Sequence, residues 1–231
     1  MSLREHWDDG AEDWIRWARS PGHDHYFWRL NLPALLELLP PPGRRTLDVG
    51  CGEGRLAREL SARGHRVTGV EGSPALAEAA RASDPALEVI CADAAELPLP
   101  DASADLAVAC LSLLNMDDMP RVVAEVARVL EPGGRFAIVE VHPFRSAAEV
   151  DDYFAATRFT ETRERDGLRM TFHDTHRPLT DLFGALEGAR MTVEAVREPV
   201  PDDAHVAERP EAARWRKSPL FLHLRAIKPV W

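Results

Sequence analysis

The stretch Thr46-Leu47-Asp48-Val49-Gly50-Cys51-Gly52-Glu53-Gly54-Arg55 decides the fold of this chain. It reads as a short apolar strand, a turn dense in glycine, and the first turn of a helix that begins at Arg55. The three glycines permit positive φ and remove the side chains that would keep a ligand away from the backbone. A strand that passes through such a turn into a helix is how α/β proteins build a nucleotide-type pocket.

The spacing of the glycines and the two acids beside them indicate the kind of ligand that this turn binds. A dinucleotide-binding turn has the pattern G-x-G-x-x-G, whereas here the third glycine comes one residue earlier. Asp48 precedes the glycines and Glu53 lies among them, and carboxylates within about 4–6 Å would repel a pyrophosphate. The turn therefore favours a ligand that is cationic or carries an ammonium group.

Three segments carry a resemblance to a known family. Asp48-x-Gly50-x-Gly52-x-Gly54 resembles motif I of the class I S-adenosylmethionine (SAM)-dependent methyltransferases, whose cofactor has a sulfonium and an amino group and no phosphate. The segment D-A-A-E-L-P at 93–98 is similar to the family's D-A-x-x-L-P, and R-V-L-E-P-G-G at 128–134 precedes an apolar strand as it does there. The resemblance covers about residues 44–142. It implies a Rossmann-like, doubly wound α/β sheet of seven strands, mostly parallel with an antiparallel last strand.

Acidic residues follow one another at the ends of three consecutive predicted strands: Asp48, Glu71 and Asp93. Glu71 comes about 20 residues after the glycine turn, the separation at which a βαβ unit places a carboxylate against ribose hydroxyls. In the resembled family, the residue in the position of Asp93 accepts a hydrogen bond from the adenine amino group, and the next backbone N–H, here that of Ala94, meets the ring.

SAM is therefore the predicted cofactor, with S-adenosylhomocysteine as its product. The residues predicted to hold it come from the glycine turn, the ends of the following strands and one N-terminal tyrosine: Tyr26, Asp48, Gly50, Cys51, Gly52, Gly54, Glu71, Gly72, Asp93, Ala94 and Leu111. The role of Tyr26, a contact with the methionine part of SAM, is implied by the resemblance, because an N-terminal helical cap covers the cofactor in that family.

Helical patterning over 11–19 and 30–39, with six aromatic residues nearby, predicts that residues 1–43 form such a cap. Packing of these helices on the sheet, without a lid role, is an equal alternative. The chain is predicted to form a single domain, 1–231, which divides into the cap, a SAM-binding core at 44–142, a substrate-cap insertion at 143–177, and a closing helix and two strands at 178–231.

Candidate catalytic residues follow from the chemistry that the resemblance implies. Methyl transfer from SAM is a displacement at a methyl group on a cationic sulfur, so holding the nucleophile at about 3–3.5 Å supplies much of the acceleration. A general base is needed only when the nucleophile carries a proton with a high pKa. His142 is the first candidate, because imidazole titrates near neutrality and the end of the fifth strand faces the methyl group. A cap on the following loop is the alternative for this residue.

Three further residues are weaker candidates. His176 and His173 belong either to the substrate pocket or to a plain loop–helix junction, and Asn115 is placed to orient a substrate amine or hydroxyl. The spacing H-x-x-H, with His142, is a poor metal site because no clear carboxylate partner accompanies it. We therefore predict no metal.

Composition limits the partners and the compartment. The 231 residues are 45% hydrophobic with a formal net charge of −10, which disfavours nucleic acid because its binding rests on neutralising phosphates. Three cysteines without C-x-x-C spacing suggest neither a disulfide framework nor a zinc site. With no signal peptide and no long apolar run, the expectation is a cytoplasmic protein away from membranes, acting on a small molecule as a monomer or homodimer.

Three functions remain open at this stage. The first is a SAM-dependent methyltransferase that modifies O or N of a small-molecule acceptor. The second is a SAM-binding protein that uses the cofactor without methyl transfer, for cyclisation or regulation. The third is an NAD-dependent oxidoreductase, against which the early third glycine and the acid-flanked turn both count.

Overall fold

The structure, a computed structural model, describes residues 1–230, and within them it contains nine β-strands and nine α-helices. The strands are β1 Thr46–Val49, β2 Val67–Glu71, β3 Glu88–Cys91, β4 Ala104–Cys110, β5 Leu130–Val141, β6 Thr157–Arg165, β7 Leu168–His176, β8 Thr192–Arg197 and β9 Phe221–Ile227. The α-helices are α1 Leu3–Asp9, α2 Ala11–Arg19, α3 Leu32–Leu38, α4 Arg55–Ser61, α5 Pro74–Ser83, α6 Met119–Val129, α7 Pro143–Ser146, α8 Leu179–Gly188 and α9 Asp203–Glu208. Residue 231, the end of the predicted domain, lies outside the described residues.

Seven strands form one sheet in the order β3-β2-β1-β4-β5-β9-β8. The first five along the chain are mutually parallel, and β9 runs antiparallel between β5 and β8. The predicted seven-stranded, mostly parallel sheet with an antiparallel last strand is confirmed. From β1 the chain adds β2 and β3 on one side and then β4 and β5 on the other. The crevice of this doubly wound sheet therefore lies above the carboxyl ends of β1 and β4.

The centre of the sheet is buried on both faces, which explains why β4 and β5 are almost wholly apolar. Ala107 and Ala109 of β4 pack with apolar residues of α6 and α8. Leu106 and Val108, which alternate with them, pack with α3 and α4 on the opposite face. The period of two along the strand thus divides the core into two layers.

The segment 143–177, predicted as a substrate-cap insertion, has regular secondary structure. It contains α7 and a hairpin of β6 and β7, joined by a turn at Asp166 and Gly167 whose φ angles are 50° and 77°. Positive φ at both positions, with the sequence Asp-Gly, is the usual chemistry of a two-residue hairpin turn. His173 and His176, predicted to lie on a loop, therefore lie on β7.

The N-terminal region forms short helices, of which α2 borders the cavity at the carboxyl edge of the sheet and α3 packs on the face of the sheet. Helix α2 has the predicted bounds, whereas the second predicted helix is divided: residues Phe27–Asn31 form a π-helical turn and α3 follows. The extended segment with three prolines at 40–42 comes directly after this helix, as proline cannot continue it. In residues 1–230, no helix is both long and apolar enough to cross a membrane.

Candidate active site

A cavity of about 740 Å³ lies at the carboxyl ends of β1, β2 and β4, between the sheet, the N-terminal helices and the β6–β7 hairpin. Its volume is in the range of pockets that hold cofactors and small ligands. Most of the residues predicted to hold SAM line it: Tyr26, Asp48, Gly50, Cys51, Gly52, Glu71, Gly72, Asp93, Ala94 and Leu111.

The glycine turn is held against β2 by its own backbone. The N–H groups of Gly50 and Cys51 both donate to the carbonyl of Val70, and the N–H of Gly52 donates to the carboxylate of Glu71 at 2.8 Å. Gly50 has φ of 72°, and a Cβ there would lie 2.7 Å from the Cβ of Ser112. A side chain is therefore excluded at Gly50, and the backbone of the turn at Gly50 and Gly52 lines the cavity.

Gly54, also predicted to bind the cofactor, does not line the cavity. A Cβ at this position would lie 3.1 Å from the Cβ of Ala80 and 3.3 Å from Leu87. Its φ of 84° and this close approach show a packing role, in which α4 begins tightly against α5. The third glycine thus shapes the helix start beneath the site.

Asp48 is the buried acid at the bottom of the cavity. Asp48 is 1% exposed, and its Oδ2 atom accepts no hydrogen bond from the described residues. Burial, and then the nearby charge of Glu71, raises the pKa of Asp48 to about 7. An ammonium group would supply both the missing hydrogen bond and the missing counter-charge.

Glu71 ends β2 and faces the cavity with its carboxylate already partly engaged. One oxygen accepts from the N–H of Gly52 and the other from the N–H of Ser73, each at 2.8 Å. Burial raises the pKa of Glu71, while these two backbone donors oppose the rise. A carboxylate accepts about four hydrogen bonds, so two sites remain for a diol.

Asp93 and Ala94 lie beyond β3, at the end of the cavity away from the hairpin. Asp93 is exposed, and its Oδ1 accepts from the N–H of Ala95 at 2.8 Å, which closes a tight turn. Ala94 is buried against the core. The free oxygen of Asp93 is open to a donor from a ligand.

Glu53, which the sequence placed among the glycines as a possible partner for a cation, is already paired. Its buried carboxylate accepts from Arg19 of the cap at 3.0 Å and from Arg58 of α4 at 2.9 Å. Two guanidinium groups neutralise this charge, so Glu53 fastens the cap to the glycine turn. Asp48 and Glu71 remain as the acids that face the cavity from the sheet.

Tyr26 lies between the cap and the C-terminal part of the chain. The indole N–H of Trp215 donates to its hydroxyl at 3.0 Å, and the ring of His25 lies 4.0 Å away. Both Tyr26 and Trp215 line the cavity. Their hydrogen bond closes one side of it.

Replacing Tyr26 by phenylalanine is expected to lower the free energy of unfolding by about 0.5–1.5 kcal/mol, because the indole N–H of Trp215 loses its acceptor. Urea denaturation measures the change. In a Trp215→Phe background the same replacement should have little further effect. An equal loss in both backgrounds would contradict the hydrogen bond as its cause.

His142 and His176, the two histidines predicted to be catalytic, do not line the cavity. The Nδ1 of His142 accepts from the N–H of Phe144 at 3.1 Å, and its Nε2 lies 3.2 Å from Glu198 on the far side. His176 is fully buried between the hydroxyl of Ser146 and the carbonyl of Tyr153. Both rings have their nitrogens engaged, which supports the structural alternatives: a cap on the following loop for His142 and a junction residue for His176.

His173 also points away from the cavity. Its ring stacks on that of His6 in α1, with 4.2 Å between centroids and 4° between planes. It thus joins the hairpin to the cap. Among residues 1–230, no group of three or more His, Cys, Asp or Glu side chains is arranged to hold a metal ion.

Asn115, the third candidate, does line the cavity. Its side-chain amide donates to the carbonyl of Leu111 at 3.1 Å, and this bond fixes the orientation of the group. The Oδ1 atom is buried and accepts no hydrogen bond from the part of the chain that the structure describes. It is available to an N–H or O–H donor.

Several cavity residues were not predicted, and they come from segments that sequence patterns did not mark. The hairpin contributes Phe159, Glu161, Phe172 and Asp174, and the C-terminal segment contributes Trp215 and Phe221. The Asp166-Gly167 turn was the available signal for the hairpin. No motif marked the C-terminal residues.

Comparison with known proteins agrees with this fold. The model of the family described as methyltransferase domain matches residues 47–138. A solved SAM-dependent methyltransferase from Mesorhizobium loti superposes with a TM-score of 0.67 at 29% identity, over 84% of this chain and 96% of that one. These matches support a class I SAM-dependent methyltransferase family for this chain.

Two curated relatives match over only part of their own length. The malonyl-[acyl-carrier protein] O-methyltransferase of Serratia marcescens is 38% identical over 93 residues, which are 40% of this chain and 36% of the relative. The 27-O-demethylrifamycin SV methyltransferase of Amycolatopsis mediterranei is 44% identical over 105 residues, 42% of this chain and 38% of the relative. The match thus spans well under half the length of these relatives.

The residues of this cavity fit the cofactor of the family, SAM. The orphaned oxygen of Asp48 suits the amino group of SAM, and the open backbone at Gly50 and Gly52 leaves room for its methionine part. The free lone pairs of Glu71 suit the ribose hydroxyls. When bound, SAM supplies a methyl group on a cationic sulfur, which is the electrophile.

Proposed function

We propose that this chain transfers the methyl group of SAM to an oxygen or nitrogen atom of a small-molecule acceptor. The observation that carries the proposal is the continuity of one cavity. It joins the acids and the glycine turn of β1–β3 to an aromatic and polar region under the β6–β7 hairpin. Cofactor and acceptor would therefore meet in one space that the cap shields from water.

The residues at the cofactor end of the cavity bind SAM and orient it. Asp48 holds the ammonium group, Glu71 the ribose diol and Asp93 the adenine amino group, with backbone N–H groups of the turn completing the set. Cys51 takes no part as a nucleophile, because burial raises the pKa of its thiol well above the usual range. Asn115 orients the acceptor through its free Oδ1. Positioning of this kind supplies a large part of a bimolecular rate enhancement.

The proposed acceptor is a small molecule and the proposed site of action is the cytoplasm, with the chain a monomer or homodimer. The net charge of −10 supports an acceptor other than nucleic acid. Three free cysteines support a reducing compartment. The enclosure of the cavity by the cap and the hairpin supports a small acceptor over a polymer.

The experiment is incubation of the full chain with SAM carrying a deuterated methyl group and a panel of small hydroxyl and amine acceptors. We expect S-adenosylhomocysteine and labelled product in equal amounts, measured by mass spectrometry. Chemistry on an acceptor without S-adenosylhomocysteine would favour the non-methylating alternative. Tight NADH binding in the absence of SAM binding would favour the oxidoreductase.

A further inference from the structure

We propose that Asp174, on strand β7 of the hairpin, accepts the proton that the acceptor's O–H or N–H group loses during methyl transfer. It follows that the acceptor carries a proton on its nucleophile and is neutral or cationic, so that carboxylates are excluded. The inference rests on the proposed methyl transfer and identifies the acceptor class of that same site.

The hairpin turns one face to the cavity, and Asp174 belongs to it. Asp174 pairs with Phe159 across the two strands, and Phe172 lies two residues along β7 on the same face. All three line the cavity, whereas His173, between them, stacks on the cap. The period of two therefore aims the carboxylate of Asp174 at the ligand space.

On this face of the hairpin, the carboxylate of Asp174 is free of hydrogen bonds and ion pairs to other residues in 1–230. Neither of its carboxylate oxygens accepts a hydrogen bond from any described residue. Its neighbour Glu161 is held by Arg163 at 3.1 Å and by Arg145 at 3.4 Å. Arg145 also binds Glu149, so the arginines of this region are committed elsewhere. A proton acceptor needs such a free lone pair.

The charges around Asp174 set its basicity near neutral pH. Burial, and then Glu161 of β6, raises the pKa of Asp174 to about 7, and Arg163 of β6 and Arg145 of α7 oppose the rise. Glu140 at the end of β5 is also within electrostatic range. Helix α1 places His6 against His173 on the opposite face of β7. Helix α2 places uncharged tryptophans against Phe172 on the face of Asp174. A carboxylate with this pKa is charged above neutrality and basic enough to take a proton.

The position of Asp174 relative to the sheet places it at the acceptor end. Strand β7 packs against the 3-10 turn Leu113–Asn115, which follows β4. Asn115, with its free Oδ1, lies on that turn, and Arg145 follows β5 directly on α7. Asp174 therefore lies over the carboxyl ends of β4 and β5, whereas Glu71 and Asp93 follow β2 and β3.

The step balances as a displacement with loss of a proton. The lone pair of the acceptor's oxygen or nitrogen forms a bond to the methyl carbon, and the C–S bond breaks with its electron pair kept by sulfur. Sulfonium becomes the neutral thioether of S-adenosylhomocysteine, and the acceptor's proton passes to the carboxylate of Asp174 and then to water. An acceptor carboxylate has no proton to lose, and the charged carboxylate of Asp174 would repel it.

The first test needs no acceptor. The full chain, with ¹³C-labelled aspartate carboxyls and S-adenosylhomocysteine added, is titrated with pH by NMR, and Asp174→Asn assigns the resonance. We expect a carboxyl that titrates near neutrality and is missing from the variant. Titration of Asp174 in the ordinary range of an exposed aspartate would overturn the inference, because such a group is too weak a base.

The second test compares catechol, tyramine and benzoate as acceptors with SAM. We expect transfer to the phenol or the amine and none to benzoate, with kcat rising with pH to a plateau above about pH 7. Asp174→Asn should lower kcat by about 10²–10⁴-fold and abolish this pH dependence, with the Kd for SAM unchanged. Asp166→Asn, at the turn of the same hairpin and outside the cavity, should leave kcat unchanged.

The outcomes separate the two claims. Full turnover by Asp174→Asn, or preference for benzoate, would overturn the role of Asp174 while leaving methyl transfer intact. Failure of the unmodified, SAM-bound chain to methylate any acceptor would contradict the proposed function and this inference with it.

Discussion

Replacement of Glu71 by alanine is expected to weaken SAM binding by about 1.5–3 kcal/mol, or roughly 10- to 150-fold in Kd, because the ribose hydroxyls lose a charged acceptor. Glu71 lies at the end of β2 and keeps two acceptor sites free beside those used by Gly52 and Ser73. Calorimetric titration with SAM measures the change.

Two controls keep this result interpretable. Glu71→Ala leaves the N–H groups of Gly52 and Ser73 without their acceptor, so the variant's circular dichroism and melting temperature must show that it is folded at the titration temperature. Glu96→Ala removes an exposed acid that does not line the cavity, and it should leave the affinity within a factor of about two. Unchanged affinity in a folded Glu71→Ala variant would remove this residue from the site.

Replacement of Asp48 by asparagine is expected to stabilise the ligand-free chain at alkaline pH while weakening its affinity for SAM. The folded-state pKa of Asp48, about 7, lies above the ordinary aspartate value of 3.8, so the folded chain holds this proton more tightly than the unfolded chain. The contribution to stability is therefore complete below the unfolded-state pKa and is lost as pH rises through the folded-state pKa.

Urea denaturation of the ligand-free chain tests this sign. At about pH 8 the variant should be more stable than the unmodified chain by roughly 2–4 kcal/mol, and the difference should vanish near the unfolded-state pKa. Asp151→Asn, an exposed aspartate, should produce no such pH-dependent difference. A gain in stability together with an unchanged Kd for SAM would contradict the pairing of Asp48 with the amino group.

The sequence predicts those parts of the structure that depend on residues close together in the chain. An apolar strand, a glycine turn and a helix start are contiguous in 46–55, and the register of parallel strands then brings the acids at the carboxyl ends of β1, β2 and β3 to one edge. For that reason the sequence alone predicts that Asp48, Glu71 and Asp93 lie together. Their side chains line one cavity, as this reasoning required.

The parts that sequence reasoning missed depend on partners far along the chain. Glu53 looked like a free charge because Arg19 lies 34 residues away from it. His142 was placed correctly at the end of β5, but its ring is turned to Glu198, which follows β8. The position of a residue on a strand can be predicted from a sequence pattern. The direction of a side chain at the end of a strand depends on neighbours that the fold brings to it.

The hairpin was missed for a different reason. Strand β6 carries charged or hydroxyl side chains on both faces, because one face covers a cavity and the other lies near solvent. The apolar alternation that marks a half-buried strand is therefore weak there. Strand β7 is also polar, and it carries Asp174. The segment that is hardest to predict from sequence is therefore the one that carries the proposed proton acceptor.

Calorimetric titration of the full chain with SAM and, separately, with NADH tests the central claim most directly. The account predicts SAM binding in the micromolar range and no response to NADH, because the buried acids of the cavity suit an ammonium and a diol and would repel a pyrophosphate. Binding of NADH without binding of SAM would contradict it.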